Sequence, residues 1–488
     1  MEPIEQQPWS GLLADAETRR ELSRQVAEIV EHHAAHVAEL RVAPKLAPAE
    51  LRAILGACDF LRPITPREAV ELAARGLTAH QVHTGHPRYY GLFNPAPTTM
   101  GVAADTLVAA FNPQMAAWSH SPFAAEVERH LIRAFGTRFG WDEDSTDGAF
   151  TSGGAEANHT AVIVALAAAF PQFADDGVRA IQAQPLIYAS RECHHSLPKA
   201  ARLCGLGTNA VRLIETDEKL RVKPAALEEA IVRDRAAGHA PFLLVATAGT
   251  TNAGAIDPLE ECAAIAARHR LWYHVDAAWG GAAALVPELR PLLDGIERAD
   301  SITFDAHKWL SVPMAAGIFL TRRMDAMERA FAIQTSYMPR EALGLDVVDP
   351  HLHTMQWSRR FIGLKVFLSL LVAGWEGYER AICHQTAMGE LLRCDLIEAG
   401  WAIENDTPLP VICFSDRGGG DAQVIAMEVV GSGEAWVSTT LIGGRTVLRA
   451  CITNYRTMAE DVEALIGALG RAREKTSHAT AAQTAIGT

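Results

Sequence analysis

No two of the eight cysteines form a C-x-x-C pair: Cys58, Cys193, Cys204, Cys262, Cys383, Cys394, Cys413 and Cys451 are scattered along 488 residues. That spacing argues against a structural zinc site and a disulfide framework, and leaves reduced, mostly buried thiols as the expectation. Long apolar runs are missing too. The longest, such as 161–170 and 366–375, are about half of the ~20 residues a bilayer span requires, so no membrane partner is expected. Positive charge is scarce: 44 Lys and Arg stand against 58 Asp and Glu, a formal net charge of -14. Nothing in that balance favours nucleic acid or an anionic membrane. The opening MEPIEQQPWSG lacks the basic region, apolar core and cleavage site of a secretory signal, so a cytoplasmic location is the default.

What is present is a large core: 49% of the residues are hydrophobic, and at about 150 residues per domain the length allows roughly three folding units. From Glu17 to Leu40, Leu22, Val26, Ile29, Val30 and Val37 recur at helical spacing among charges, the pattern of an amphipathic helix. His32 and His36 stand four apart on it, but without a nearby acidic or thiol third ligand a solvated helix face explains them better than a metal. Pro44, Pro48, Pro63 and Pro66 then punctuate short helical pieces, so residues 1–80 read as a wrapping N-terminal helical segment. Short apolar runs alternate with Ala-rich helical stretches over residues 81–380, the pattern of a mainly parallel α/β sheet covered on both faces. A smaller α+β domain is expected over 381–475, with strands at 410–415 and 447–451 and a helix from 459 to about 473. The small, polar residues 476–488 read as a disordered tail.

Four runs in the middle region matter most: 185–190 (PLIYAS), 241–247 (PFLLVAT), 271–275 (LWYHV) and 301–304 (SITF). Each passes straight into polar residues. In open α/β sheets the ligand sits outside the carboxyl ends of the strands, so these junctions should converge on one crevice. Upstream, Thr151-Ser152-Gly153-Gly154-Ala155-Glu156-Ala157-Asn158 opens an apolar helix and could cradle a phosphate on free backbone N–H groups. It lacks the Gly-Lys-Ser/Thr ending of a P-loop, and a capping turn without a ligand accounts for it as well. Asp276 ends one of the runs. A carboxylate there is costly unless a cation or several donors face it; a protonated pyridine nitrogen would serve, and the small Ala278 would admit a flat ring, although a turn-capping Asp fits equally. Lys308 follows the last run directly. The other lysines, Lys45, Lys199, Lys219, Lys223, Lys365 and Lys475, stand in surface-like or helical contexts, which leaves Lys308 as the amine expected to be desolvated and able to form a Schiff base. A phosphate cradle, an acid for a pyridinium and a lysine for an aldehyde are the three handles of pyridoxal 5'-phosphate.

Over most of its length the chain resembles the group II pyridoxal-phosphate-dependent amino acid decarboxylases, which include aromatic-L-amino-acid and glutamate decarboxylases. The motifs TSGGAEAN, ECHHS, TAGTTNAGAIDPLEE, HVDAAWGG and FDAHKWL occur in the family's order, flanked by HPRYYGLFNP and LRACITNYRT. The resemblance implies an aspartate-aminotransferase-like (fold type I) large domain and a homodimer with shared active sites and exchanged N-terminal helices. It implies that Lys308 carries the cofactor as a Schiff base, that Asp276 faces the pyridine nitrogen, and that His195, rather than His194, stacks on the ring. Thr251 and Ala278 would lie against the ring. Ser152, Gly153, Gly154, Ala155 and His307 would hold the phosphate; Asp305, a carboxylate where some animal members carry Asn, is left out.

Substrate choice in that family depends on the segment around 89–95 and on Trp118. Leu92, Phe93 and Trp118 make it apolar and aromatic here, which suits an aromatic or apolar L-amino acid; Arg88 is the nearest cation for an acidic one. Residues 343–357 contain no tyrosine, although many family members place a proton-donating tyrosine there. His351 or His353 could donate instead; otherwise the carbanion meets oxygen and gives an aldehyde. Decarboxylation of diaminobutyrate or an acidic amino acid stays open. A transaminase ranks below these, and a protein that merely retains the cofactor fits poorly with Lys308, Asp276 and His195 kept together.

Overall fold

The computed structural model describes residues 12–45, 47–333, 335–336, 338 and 344–486, with side chains as far as 476. The opening segment before Leu12, Leu343 of the tyrosine-free stretch and the last two residues of the tail lie outside the described residues.

Seven strands form the main sheet: β1 (Asp147–Thr151), β2 (Pro185–Ser190), β3 (Val211–Ile214), β4 (Ala240–Thr247), β5 (Trp272–Asp276), β6 (Ser301–Asp305) and β7 (Gly317–Thr321). Their order is β1-β7-β6-β5-β4-β2-β3. The pairs from β3 through β6 are parallel, and β7 alone runs against its neighbours β1 and β6. Burial on both faces explains the near-continuous apolar runs of β2 and β4, and the four runs read from the sequence coincide with β2, β4, β5 and β6 to within a residue. A second, antiparallel sheet of order β10-β11-β9-β8 is built from β8 (Trp401–Ile403), β9 (Val411–Asp416), β10 (Ser438–Ile442) and β11 (Arg445–Cys451), and packs its own core around Trp401, Phe414 and Leu465.

Three boundaries differ from the sequence expectation. The helix Gly363–Glu398 runs through the boundary expected at 380; its helical geometry is interrupted at Gly374, where φ is 64°. A left-handed residue is cheapest as glycine, so the bend sits there. The helix Ala459–Ile486 crosses most of the stretch read as a disordered tail, its Ala-rich composition favouring helix once the preceding turns are docked. The helix Ala16–His36 ends four residues before Leu40, and a short 3₁₀ turn follows. Asp15 caps it by accepting from the Glu17 and Thr18 amides at 2.9 Å, which supplies partners to otherwise orphan donors. No helix among the described residues is long and apolar enough to cross a membrane.

The parallel register sets the site. Thr247 of β4 stands beside Asp276 of β5, and Asp276 beside Thr303 of β6. Side chains two apart share a face, so His274 and Asp276 point the same way, as do Ser301, Thr303 and Asp305.

Candidate active site

A cavity of about 280 Å³ opens at the carboxyl ends of these strands, lined by Ser152, Gly153, Gly154, Ala155, Asn158, His194, Thr247, Gly249, Thr251, Asp276, Ala278, Trp279, Asp305, His307, Lys308 and Met314. A larger cleft of about 730 Å³ lies at the other end of β5 and β6 and is rimmed with arginines, but it gathers none of the strand-end polar residues. Volume therefore does not pick out the site; the carboxyl ends of the strands do.

At one end of the cavity the helix Gly154–Ala169 begins. The first intrahelical bonds are the Glu156 and Ala157 amides to the Gly153 carbonyl, at 3.0 and 3.1 Å, which leaves the Gly154 and Ala155 amides pointing outward with the positive end of the helix dipole. Close approach demands glycine at this turn. A Cβ on Gly154 would stand 2.8 Å from Asp305 Oδ2, and one on Gly317 of β7 would stand 2.5 Å from Thr151 Oγ1. His307 accepts the Ala316 amide on Nδ1 at 3.1 Å, so its proton sits on Nε2, and burial pushes its pKa below the usual imidazole value.

Asp276 is 4% exposed. Its Oδ2 accepts from Asn158 Nδ2 at 2.8 Å and its Oδ1 from the Ala278 amide at 3.2 Å. Asn158 also donates to Ser196 Oγ at 2.9 Å and accepts from Thr303 and His274 at 2.9 and 3.1 Å. Lys308 Nζ lies 3.0 Å from Asp305 Oδ2, with about a quarter of its side chain exposed, so the amine reaches the cavity while a carboxylate balances its charge. Thr247 Oγ1, Trp279 Nε1 and Asp305 Oδ1 are buried without hydrogen-bond partners in the chain. Unsatisfied polar atoms around one cavity mark a place for a ligand.

The residues fit pyridoxal phosphate: free amides and glycines at one end, a carboxylate facing the middle, an amine at the edge, and Ala278 leaving room for a flat ring. A model for the pyridoxal-dependent decarboxylase conserved domain matches residues 63–417. The chain belongs to this family. Aromatic-L-amino-acid decarboxylase of Bacillus atrophaeus is 31% identical over 464 residues, covering 93% of this chain and 95% of its own. Cysteine sulfinic acid decarboxylase of Mus musculus is 35% identical over 329 residues, 67% and 66% of the two chains. The crystal structure of Oryza sativa TDC with PLP and tryptamine superposes with a TM-score of 0.89 at 25% identity, covering 96% of this chain and 99% of that one. The protein is accordingly a pyridoxal-phosphate-dependent amino acid decarboxylase with the expected α/β fold and cofactor.

Several sequence expectations for the decarboxylase need correction. His194, not His195, lines the cavity; Ser196 holds it there through Nδ1 at 2.8 Å, while His195 forms the cap of the helix Ser196–Leu203. Desolvation pushes the His194 pKa below the usual value. Matching the His-Ser dipeptide favoured the wrong ring, because the turn, not adjacency to Ser196, decides which side chain points inward. Leu92, Phe93 and Trp118 do not line the cavity of their own chain. Phe93 is 5% exposed and stacks on Trp279 with ring centroids 4.4 Å apart, Leu92 is exposed, and Trp118 donates its indole N–H to Glu126 at 2.8 Å. The two histidines considered as proton donors are engaged elsewhere. His351 is buried with Nδ1 3.0 Å from the Ala116 carbonyl, and His353 pairs with Asp147 at 3.3 Å, roughly 13 Å along β1 from the Ser-Gly-Gly turn. Lys308 is not the most desolvated amine either: Lys365 has a side chain only 3% exposed, but Asp105 and two carbonyls saturate it.

Sequence reading missed Asn158, Thr247 and Arg449. The guanidinium of Arg449 is 3% exposed; it ties Thr251 O and Gly91 O at 3.0 Å each, lies over Phe93 and keeps Nη2 unpartnered.

Proposed function

We propose that the protein decarboxylates an aromatic or apolar L-amino acid to its amine, with Lys308, Asp276 and His194 as the working side chains. The observation that carries the substrate class is the wall itself. Its charged side chains are Asp276, Asp305 and Lys308, and with Asp276 and Lys308 given to the cofactor the wall offers no cation for an anionic side chain. Arg88, the cation considered for an acidic substrate, is bound to Asp461 at 3.0 Å. Trp279, Met314 and Ala278 supply apolar surface. The B. atrophaeus relative, named for aromatic substrates, matches 93% of the chain, against 67% for the Mus musculus relative named for cysteine sulfinic acid.

Bound pyridoxal phosphate supplies a ring that accepts the electron pair left at Cα when carbon dioxide departs. Lys308 is placed to bond its aldehyde, Asp276 to face the ring nitrogen, and the amides of Gly154 and Ala155, with Ser152 and Gly153, to bind its phosphate. Thr251 and Ala278 bound the ring. His194 lines the cavity with Nδ1 held by Ser196, which leaves Nε2 to hold a proton there.

The working form is taken to be a cytoplasmic homodimer. The helix Ala16–His36 buries none of its residues within the chain, leaving Val26 and Val30 exposed. Leu107, Phe111, Leu371 and Val372 are also exposed, on two helices that pack against each other. Apolar surface on this scale marks an interface, and sedimentation at micromolar protein would give twice the 52.7 kDa chain mass.

Aerobic incubation of cofactor-loaded enzyme with aromatic, acidic and basic amino acids, with amine, aldehyde and peroxide quantified, tests the function. Amine from aromatic or apolar substrates supports it. Aldehyde with equimolar peroxide places the protein in an aldehyde-forming branch, and turnover confined to acidic or basic amino acids overturns the substrate class.

A further inference from the structure

We infer that Asn158 is a positioning residue that ties the carboxylate of Asp276 to the tautomer of His194, so that one buried amide governs both faces of the cavity. This deepens the proposed roles of those two side chains and rests on them.

Asn158, 1% exposed, has two amide hydrogens, and both are committed, to Asp276 Oδ2 and to Ser196 Oγ. The opposite amide orientation would aim a carbonyl oxygen at a carboxylate oxygen, so the orientation is determined by its partners. Ser196 Oγ thus receives one hydrogen and has one to give, and its acceptor is His194 Nδ1 at 2.8 Å. The Ser196 amide points at the same nitrogen from 3.2 Å. A nitrogen that accepts from two donors carries no hydrogen, so neutral His194 holds its proton on Nε2, the atom turned to the cavity.

The same direction of donation comes from behind. Trp272 Nε1 donates to Ser301 Oγ at 2.8 Å. Asn158 Oδ1 can only accept, so His274 Nε2 carries the hydrogen between them; Nδ1 of the neutral ring is then an acceptor and takes the hydrogen of Ser301 Oγ, also at 2.8 Å. Burial pushes His274 down to about 4, so the ring is neutral and its single proton is spoken for. Thr303 adds a second donor to Asn158 Oδ1. Each link from Trp272 to His194 donates toward the cavity, and Asn158 is where the chain divides.

The test uses full-length protein labelled with ¹⁵N-histidine and long-range ¹H–¹⁵N spectra, with His194→Gln to assign the signal. In the cofactor-free protein His194 should show one Nε2–H form. Ser196→Ala leaves Nδ1 only the longer amide donor, so a second tautomer should appear, while cofactor affinity stays within about threefold because the bond to Asp276 survives. Asn158→Ala should do both: mix the tautomers and weaken cofactor binding, read from its visible absorbance, by roughly tenfold or more, the effect of losing a hydrogen bond to a charged group. Where Asn158→Ala fails to fold, the isosteric Asn158→Asp replaces it, and should shift the pH dependence of the cofactor band by placing a second carboxylate against Asp276. An unchanged His194 signal in Ser196→Ala, or cofactor affinity and band both unaffected by the change at Asn158, would overturn the inference. Because the tautomer is read without cofactor, failure of the wild type to decarboxylate an aromatic amino acid would count against the proposed function alone.

Discussion

Lys308 Nζ and Asp305 Oδ2 lie 3.0 Å apart, and the same Asp305 oxygen would be 2.8 Å from a Cβ on Gly154. One carboxylate therefore borders both the amine and the helix start proposed to take the phosphate. A carboxylate beside a bound phosphate would repel it. Asp305→Asn should keep the bond to Lys308 in weaker form and relieve the phosphate end, tightening pyridoxal phosphate binding several-fold. Absorbance titration in low and moderate salt measures it, and weaker binding would show that the pairing with Lys308 dominates.

Gly154→Ala should act in the opposite direction. Its methyl group would press on Asp305 Oδ2 and come within 3.3 Å of the Ala278 Cβ, filling the space beside the ring. Cofactor affinity should fall at least about tenfold, since overpacking costs roughly 1–3 kcal/mol. Equilibrium dialysis, with circular dichroism as a control for folding, checks it.

Glu128 and Arg359 form an ion pair whose side chains are each 4% exposed, and Glu128 also accepts the Gly363 amide at 3.0 Å. Arg359→Met leaves an uncompensated buried carboxylate and should cost about 3–5 kcal/mol of stability. The double variant Glu128→Gln with Arg359→Met should recover part of that loss in urea unfolding. Equal losses in the two variants would mean that packing of the arginine stem, not its charge, is what matters.

The pH dependence of stability follows from two fully buried groups of opposite sign. Burial holds His274 at about 4 against 6.5 for the free ring, so the unfolded chain binds the extra proton between those values. Its contribution is complete above about pH 6.5 and is lost as pH falls toward 4, a change of about 3 kcal/mol. Asp257, pushed up by burial to about 6, binds its extra proton in the native state, so its contribution is present at low pH and lost as pH rises through 6. Wild-type stability should therefore be flatter between pH 4 and 6.5 than either group alone implies. His274→Gln should steepen the decline toward neutral pH, and urea midpoints at half-unit pH steps would detect it.

Much of this was legible in the sequence because its signals are local. Apolar runs such as PLIYAS declare a strand buried on both faces, Ser-Gly-Gly declares a turn with free amides, and Asp276 and Lys308 follow their strands directly. Those features hold wherever the strands go, so the α/β class could be read from them, and the cofactor once the order of the motifs pointed to the family. What failed was whatever depends on which way a side chain turns. His194 and His195 are chemically identical neighbours, and only the turn after β2 decides that the first meets the cavity. Phe93 and Trp118 lie outside the cavity of their own chain, one ring stacked on Trp279 of its wall and the other indole bound to Glu126.

The sequence by itself determined the chemistry of the handles, since a carboxylate, an amine and free amides at strand ends owe their character to covalent structure and local burial. The tertiary structure alone decided how they are connected. Asn158, Ser196, His274, Ser301 and Thr303 come from four separate stretches of chain, and no local pattern reports that their donors and acceptors will meet. Strand register and the packing of one helix across the sheet bring them within about 3 Å, and hydrogen bonds form only at that range.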